Sequence, residues 1–252
     1  MLTRGRFGDA VLITGAGRRV GLHLARRMLA HGRPVIAHYR TLTAELAALE
    51  RDGALAVAAD LAGDDGLQHL VATVRDATPS LRAIVHNASS FAATAPVLTD
   101  ALQQFDLFYA VHMRAPFALN LALADLLASC SERHADIVHV TDIFADNPNP
   151  VFDAYCASKA GLQNLTLAFA KRLAPKVKVN AIQPGPILFT PWHDQSARER
   201  VLGETLLGEE GGAEAIGLAV EALMANHYQT GAVIAVDGGR RLALGRSTAS
   251  SA

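Results

Sequence analysis

Short apolar runs alternate along the chain with longer stretches in which apolar positions recur every three or four residues. The run DAVLIT at 9–14 predicts a buried strand, and VGLHLARRMLAHG at 20–32 predicts an amphipathic helix closed by a glycine. Further strands are predicted at 34–39, 54–60, 81–87, 135–141, 176–182 and 231–239. Helices are predicted at 43–53, near 64–77, over roughly 99–130, and at 154–174. Such alternation, with strands written as near-continuous apolar runs, implies a parallel sheet covered on both faces. The expected fold is α/β: a single doubly wound Rossmann-type domain over 1–252, with a parallel seven-stranded sheet and helices on both faces. Residues 186–212, rich in Gly, Pro and charge, read as an insertion over the edge of the sheet, and the tail STASSA as frayed.

Composition narrows the function classes. Half of the 252 residues are hydrophobic, enough for one substantial core. The formal net charge is -1, and the basic residues are scattered apart from pairs such as Arg18-Arg19 and Arg26-Arg27, so no field points to nucleic acid or an anionic membrane. Cys130 and Cys156 make no disulfide framework and read as reduced thiols. No stretch approaches the ~20 apolar residues of a membrane span, and the first apolar run is too short for a signal peptide. The expectation is a soluble cytoplasmic protein. Histidines are scattered without a His-Glu-x-x-His or paired-cysteine spacing, so no metal site is expected, and the absence of Gly-x-Ser-x-Gly argues against a hydrolase elbow.

Two stretches carry chemistry. TGAGRRVG, from Thr14 to Gly21, joins the first strand to the first helix. Glycines there let a backbone approach a pyrophosphate, and the helix N-terminus offers N–H donors; glycine also serves plain tight turns. After the second strand stand His38, Tyr39, Arg40 and Thr41. A carboxylate there would bind the ribose hydroxyls of NAD and repel a 2′-phosphate, whereas Arg40, helped by Arg18, can pair with one. The other reading of Arg40 is a solvated surface cation. Asp60, ending the third strand, either accepts from an adenine amino group or caps a helix. In the second stretch, Tyr155 and Lys159 are one helical turn apart and share a face. An ammonium beside a phenol is expected to lower its pKa and make it a usable proton donor near neutral pH. Asp142 precedes the tyrosine by 13 residues.

TGAGRRVG, HNAS (86–89), YCASK (155–159), QPGP (183–186) and VDGG (236–239), in that order, make nearly the whole chain resemble the short-chain dehydrogenase/reductase family. Within it the chain resembles the pteridine reductases, and among those the bacterial dihydromonapterin reductases. The closer likeness is carried by the Gly-Arg-Arg turn at 17–19, HYRT (38–41), LRAIVHNASSF (81–91), VHMRAP (111–116), Thr141-Asp142 and LAPKVKVNAIQPGPILF (173–189).

The resemblance implies reduction of a dihydropterin, such as 7,8-dihydromonapterin or a related dihydropterin or dihydrofolate, by NADPH in a homotetramer. It implies a cofactor site of Gly15, Arg18, Arg19, Val20, Tyr39, Arg40, Thr41, Asp60, Leu61, Asn87, Ala88, Ser89, Tyr155, Lys159, Pro184, Gly185 and Ile187. Tyr155 would donate the proton, Lys159 would hold the nicotinamide ribose, Ser89 would also reach the pterin, and Phe91 would stack on it. Three positions depart from the common pattern: Arg19 stands where glycine is usual, His112 where a helix asparagine often joins a proton relay, and Asp142 where most members have serine. Serine and tyrosine suit a ketone oxygen. A C=N bond leaves a nitrogen that must gain a proton, and an acid coupled to Tyr155 suits that need. Asp142 as a turn cap and His112 as a packed histidine are the plainer readings. Trp192 and His193 either line a substrate lid at 186–212 or pack it shut. The rival functions are a carbonyl reductase of the 3-oxoacyl type and a nucleotide-binding protein without turnover, against which Tyr155 and Lys159 count.

Overall fold

Within each predicted strand, alternate apolar side chains turn to opposite sides, so both faces of the sheet need cover. The computed structural model, which describes residues 7–190 and 193–243, has one parallel sheet of seven strands in the order β3-β2-β1-β4-β5-β6-β7. The strands are β1 (Ala10–Ile13), β2 (Val35–Tyr39), β3 (Leu55–Ala58), β4 (Leu81–His86), β5 (Ala135–Val140), β6 (Val177–Pro184) and β7 (Val233–Val236). Leu12, Ile36, Ile84, Ile137 and Val179 face one core; Val11, Ile13, Val85, Val138 and Ile182 face the other.

Helices α1 (Arg19–Ala30), α2 (Ala44–Arg51) and α9 (Gly212–Ala225) cover the second face. Helices α3 (Asp64–Ala77), α5 (Ala115–Ala122), α6 (Ala124–Ala128) and α7 (Asp153–Leu173) cover the first. The strand order reverses between β1 and β4, and the crevice for ligands opens there, outside the carboxyl ends of the strands.

Two elements differ from the sequence expectation. The region expected as one long helix over 99–130 is broken into α4 (Leu98–Tyr109), a π-helical turn (Ala110–Arg114), α5 and α6. Pro116 accounts for the first break: it has no N–H for the carbonyl of His112, four residues earlier, so the register widens. Helix α7 makes room for this bulge at Gly161, where an added Cβ would lie 2.4 Å from Met113 Cε. Helix α9 was not expected at all. Its buried Ile216, Val220, Leu223 and Met224 are helically spaced, but alanines on the other sides blur the contrast between faces. The 186–212 segment also carries α8 (Gln195–Gly203). Trp192 and the STASSA tail lie outside the described residues.

At the amino end of the sheet three charged side chains from neighbouring strands meet in the core. Arg82 Nη1 donates to Asp136, and Lys178 Nζ lies 3.0 Å from Asp136 Oδ1. Arg82 Nη2 donates to Met224 O at 3.0 Å, and Lys178 Nζ donates to Leu223 O at 2.6 Å and Asn226 O at 2.7 Å. The two cations thus satisfy the free carbonyls at the end of α9, where the helix dipole favours positive charge.

Candidate active site

At the nucleotide end, the turn after β1 is held by its neighbours on both sides. Thr14 Oγ1 accepts from the backbone N–H groups of Asn87 and Ala88, each at 3.0 Å. Asn87 Nδ2 donates to Thr14 O at 3.0 Å. Gly15 has φ +69°, and a Cβ there would lie 2.9 Å from Ala88 Cα, so the turn requires glycine. A Cβ on Gly21 would come within 2.1 Å of Gly15 O; the third glycine lets α1 pack against the turn. Gly15 N–H donates to Nδ1 of buried His38 at 3.1 Å, and His38 Nε2 faces Ala59 O at 3.0 Å. Burial pushes the His38 pKa down, so the ring stands neutral as a spacer between the turn and β3.

Around this turn the expected cofactor residues are distributed unevenly. Arg18 and Arg40 are exposed, with no ion pair among the described residues, and Gly17 lies against Tyr39 and the Thr41 carbonyl. Arg19, at φ +54°, donates instead to the carbonyls of Leu188 and Phe189 in the loop after β6. Asp60 does not cap α3: its Oδ1 accepts from Ala62 N at 3.0 Å, and Gly63 takes the cap position. Val20 is half-buried, while Leu61 and Ile187 turn their side chains into the core. Gly185, after Pro184, lies so close to Asp237 that a Cβ would sit 2.7 Å from its Cα.

At the chemical end, Asp142 caps a turn, as its plainer reading has it, and also meets Tyr155. Its Oδ1 accepts from Phe144 N at 2.9 Å, capping the 3₁₀ turn Ile143–Ala145, and its Oδ2 accepts from Tyr155 OH at 2.8 Å. Burial pushes the Asp142 carboxyl above its ordinary range; Phe144 N–H, Tyr155 OH, Lys159 and Arg240 pull it back. The expectation for Tyr155 is corrected. Burial, and then the charge and hydrogen bond of Asp142, push the phenol well above its ordinary value instead of down. Lys159 does not reverse this: its Nζ donates to Val140 O at 2.9 Å, lies 5.7 Å from the Tyr155 ring centroid, and is itself pushed down to about 8 by burial. The tyrosine therefore keeps its proton and holds it toward a carboxylate that binds protons readily.

Phe91 is 53% exposed, stacked on Phe152 at 4.6 Å and edge-on to Tyr155 at 4.8 Å, which makes it a supported apolar shelf rather than a core residue. Ser89 Oγ lies 3.0 Å from Nε2 of buried His112. His193 packs on Phe189 at 5.4 Å and accepts from Thr190 N at 3.2 Å, so it braces the loop. Sequence reasoning gave no individual role to Thr14, His38, Phe152, Ser158 or Arg240. Arg240, opening the short α10 (Arg240–Ala243), lies 5.7 Å over the Phe144 ring and donates to Glu204 Oε2 at 2.7 Å. Its position just after VDGG was the only available signal. Among the described residues no cluster of His, Cys, Asp or Glu is arranged to hold a metal, and both cysteines are free and buried.

With this geometry in view, the comparisons are direct. A profile of the short chain dehydrogenase family matches residues 9–200. A dihydromonapterin reductase of Klebsiella pneumoniae is 41% identical, the alignment covering 92% of this chain and 96% of that protein. One of Escherichia coli is 38% identical with the same coverage. The FolM alternative dihydrofolate reductase 1 of Brucella suis, solved in complex with NADP, superposes with a TM-score of 0.83 at 31% identity, covering 96% of this chain and 97% of that one. Its counterpart from Brucella canis, also with NADP, gives a TM-score of 0.85 at 30% identity, covering 99% and 100%. The chain belongs to the short-chain dehydrogenase/reductase family and is an oxidoreductase of that family.

Proposed function

We propose that this protein reduces a dihydropterin to the tetrahydropterin with NADPH, its substrate being 7,8-dihydromonapterin or a related dihydropterin or dihydrofolate. The observation that carries this reading is the 2.8 Å hydrogen bond from Tyr155 to the half-buried Asp142, where a ketone reductase needs only hydroxyl donors. The names of the curated relatives and the NADP of the FolM structures support it.

The residues present fit NADPH. Gly15 admits no Cβ beside Ala88, and Arg18 and Arg40 stand exposed around Gly17, Tyr39 and Thr41 with no ion pair among the described residues, suited to a 2′-phosphate. Asn87, Ala88, Ser89, Lys159, Pro184 and Gly185 complete the binding set, with Arg19, Val20, Asp60, Leu61 and Ile187 at its margin. When bound, NADPH supplies the hydride taken up at C6 of the dihydropterin. Phe91 gives the ring a face to stack on. N5 then needs a proton: Tyr155 gives its own, and Asp142 restores it from solvent. Lys159 keeps a positive charge beside the phenol as that proton leaves. Residues 186–212 serve as the substrate lid over this cleft. No described helix is long and apolar enough to cross a membrane, in keeping with a cytoplasmic location. Leu98, Leu102, Phe105 and Tyr109 leave an apolar stripe exposed along α4, which suits the association of four copies into a homotetramer.

The test is NADPH oxidation with 7,8-dihydromonapterin, dihydrobiopterin, dihydrofolate and a 3-oxoacyl thioester in parallel. Turnover of at least one dihydropterin, well above the thioester, is expected. Turnover of the thioester alone would transfer the assignment to carbonyl reduction, and turnover of none to nucleotide binding. Light scattering at micromolar concentration should give four times the chain mass.

A further inference from the structure

His112 is the position at which this chain leaves the common pattern and the proposed mechanism gives it nothing to do. Its side chain is 1% exposed and sits in the π turn, where the widened register turns it between the β4–α4 loop and α7. Its ring lies parallel to Phe108 at 5.7 Å and perpendicular to Tyr155 at 5.6 Å.

Both ring nitrogens are engaged, and one partner fixes the tautomer. The Ser90 backbone N–H points to Nε2 at 3.1 Å. An amide N–H only donates, so Nε2 carries the lone pair and Nδ1 the proton. Nδ1–H then donates to Ser158 Oγ at 2.7 Å, and the Ser158 hydroxyl donates to the backbone carbonyl of Tyr155 at 2.7 Å. The remaining contact is Ser89 Oγ, 3.0 Å from the same Nε2. With no proton on Nε2, that bond exists only if Ser89 is the donor. The Ser90 carbonyl, 3.4 Å from Ser89 Oγ, is a longer rival acceptor; the hydroxyl proton goes to the nearer imidazole nitrogen, and the Ser89 lone pairs are left for Tyr155 and for whatever lies in the cleft. Tyr155 and Lys159 of α7 are the titratable groups facing the ring, and its three hydrogen-bonded partners, Ser89, Ser90 and Ser158, carry no charge. Burial, followed by the Lys159 charge, pushes the His112 pKa well below its ordinary value, which agrees with a ring that stays neutral.

We propose that His112 is a positioning residue and specificity determinant: held as the Nδ1–H imidazole, it makes Ser89 a hydrogen-bond acceptor toward the substrate and so favours rings that offer N–H over carbonyl compounds that offer only lone pairs. This rests on the dihydropterin reading for the identity of the ring, but not for the state of the imidazole. A dihydropterin carries ring and exocyclic N–H groups, so Ser89 and Asp142 both present it with acceptors. No proton travels through His112 during turnover.

The experiment has two arms. In the first, imidazole ¹⁵N–¹H correlation spectra of the native protein, with His112 assigned by its loss in His112→Gln, should give a neutral Nδ1–H ring that does not titrate between pH 5 and 8. A protonatable ring, or the Nε2–H tautomer, overturns the proposal whatever the substrate proves to be. In the second, three variants are compared for KM, kcat and melting temperature. The amide of glutamine reaches where Nε2 stood and restores an acceptor for Ser89 and Ser90; the amide of asparagine reaches only to Nδ1. His112→Asn and His112→Phe should therefore raise the dihydropterin KM roughly 5- to 10-fold, the worth of one ordinary hydrogen bond. His112→Gln should restore most of that loss, and the pH profile of kcat should hold in all three. A relay role predicts the reverse, a fall in kcat with an altered pH profile. Equal damage from Gln and Asn makes the histidine a packing residue and overturns the proposal. If the native protein turns over no dihydropterin, the functional reading fails, and the spectroscopic arm still decides the state of His112.

Discussion

The two ends of the sheet each set an aspartate beside a cation, and burial raises both carboxyls above their ordinary range; the ends differ in what holds the cations. At the amino end, Asp136 is flanked by Arg82 and Lys178, and every outward donor of those cations ends on a carboxylate or a carbonyl of α9. Glu132 adds a further partner at 2.8 Å from Arg82 Nε. Burial works against the Arg82 charge, yet Asp136 and Glu132 more than offset it and raise its pKa. At the carboxyl end, Lys159 spends itself on the Val140 carbonyl, and the hydrogen bonds Asp142 receives among the described residues come from Phe144 N–H and a neutral phenol. Its carboxyl rises, and the lysine falls to about 8. In the first cluster both cations are saturated with acceptors and fixed. The second is left short of charge compensation, which is the condition for moving protons near neutral pH.

Asp136→Asn should break the saturated cluster most severely, because it leaves two cations in the core without their shared anion. Removing one partner of a buried ion pair costs about 3–5 kcal/mol, and chemical denaturation should record a loss of that order. Asp142→Asn, measured alongside, should lose far less stability, since among the described residues no cation is hydrogen-bonded to it. Equal losses from the two substitutions would erase the distinction between the ends.

The effect on turnover should run the other way. Asp142→Ser and Asp142→Asn should each slow dihydropterin reduction on the order of 10²–10⁴-fold, the usual worth of a general acid. The fall should enter kcat and kcat/KM together, as for a group needed mainly in the transition state. The native rate should decline as pH rises, because the reaction consumes a proton that Asp142 and Tyr155 must hold. A second decline belongs to Lys159, which loses its charge near pH 8. The Asn variant should keep the Lys159 limb and lack the Asp142 one. Near-native rates in both variants across pH would reduce Asp142 to its capping role.

How much of this was legible in the chain follows from where each signal is stored. Strand order and layering were legible because the DAVLIT, LRAIVHN and ADIVHVT runs announce strands buried on both faces, and the helices between them force a parallel sheet. Tyr155, Lys159 and the spacing to Asp142 were legible because a helical turn fixes two of them and the family pattern fixes the third. The sign of the Tyr155 shift was not. It depends on burial, which arises only when Phe108, Phe152 and the Ile143–Phe144 turn close over the ring. The amino-end cluster was also hidden: Arg82, Asp136 and Lys178 each interrupt a different apolar run, 54 and 42 residues apart along the chain, and become neighbours only through strand register. Helix α9 escaped because alanine is compatible with either face.

A smaller effect tests the outer edge of the carboxyl end. Arg40 stands exposed, with no ion pair among the described residues, where an acid would select NAD. Arg40→Asp should raise KM for NADPH far more than for NADH, leaving the proton chemistry and the amino-end cluster untouched. A native protein equally efficient with both cofactors would remove Arg40 from the site.

The smallest expected effect concerns Phe91, which separates a shelf from a core side chain. It rests on Phe152 at 4.6 Å and meets Tyr155 edge-on, yet 53% of it remains exposed. Its removal therefore opens no enclosed cavity, and the large penalty of a truncated core aromatic does not apply. What Phe91→Ala should lose is stacking on a bound ring, ~1 kcal/mol beyond area burial, or roughly fivefold in dihydropterin affinity. NADPH affinity and the melting temperature should hold. A parallel fall in both ligands and in melting temperature would mean that Phe91 supports Tyr155 through packing, and that the carboxyl end depends on aromatic cover as the amino end depends on charge.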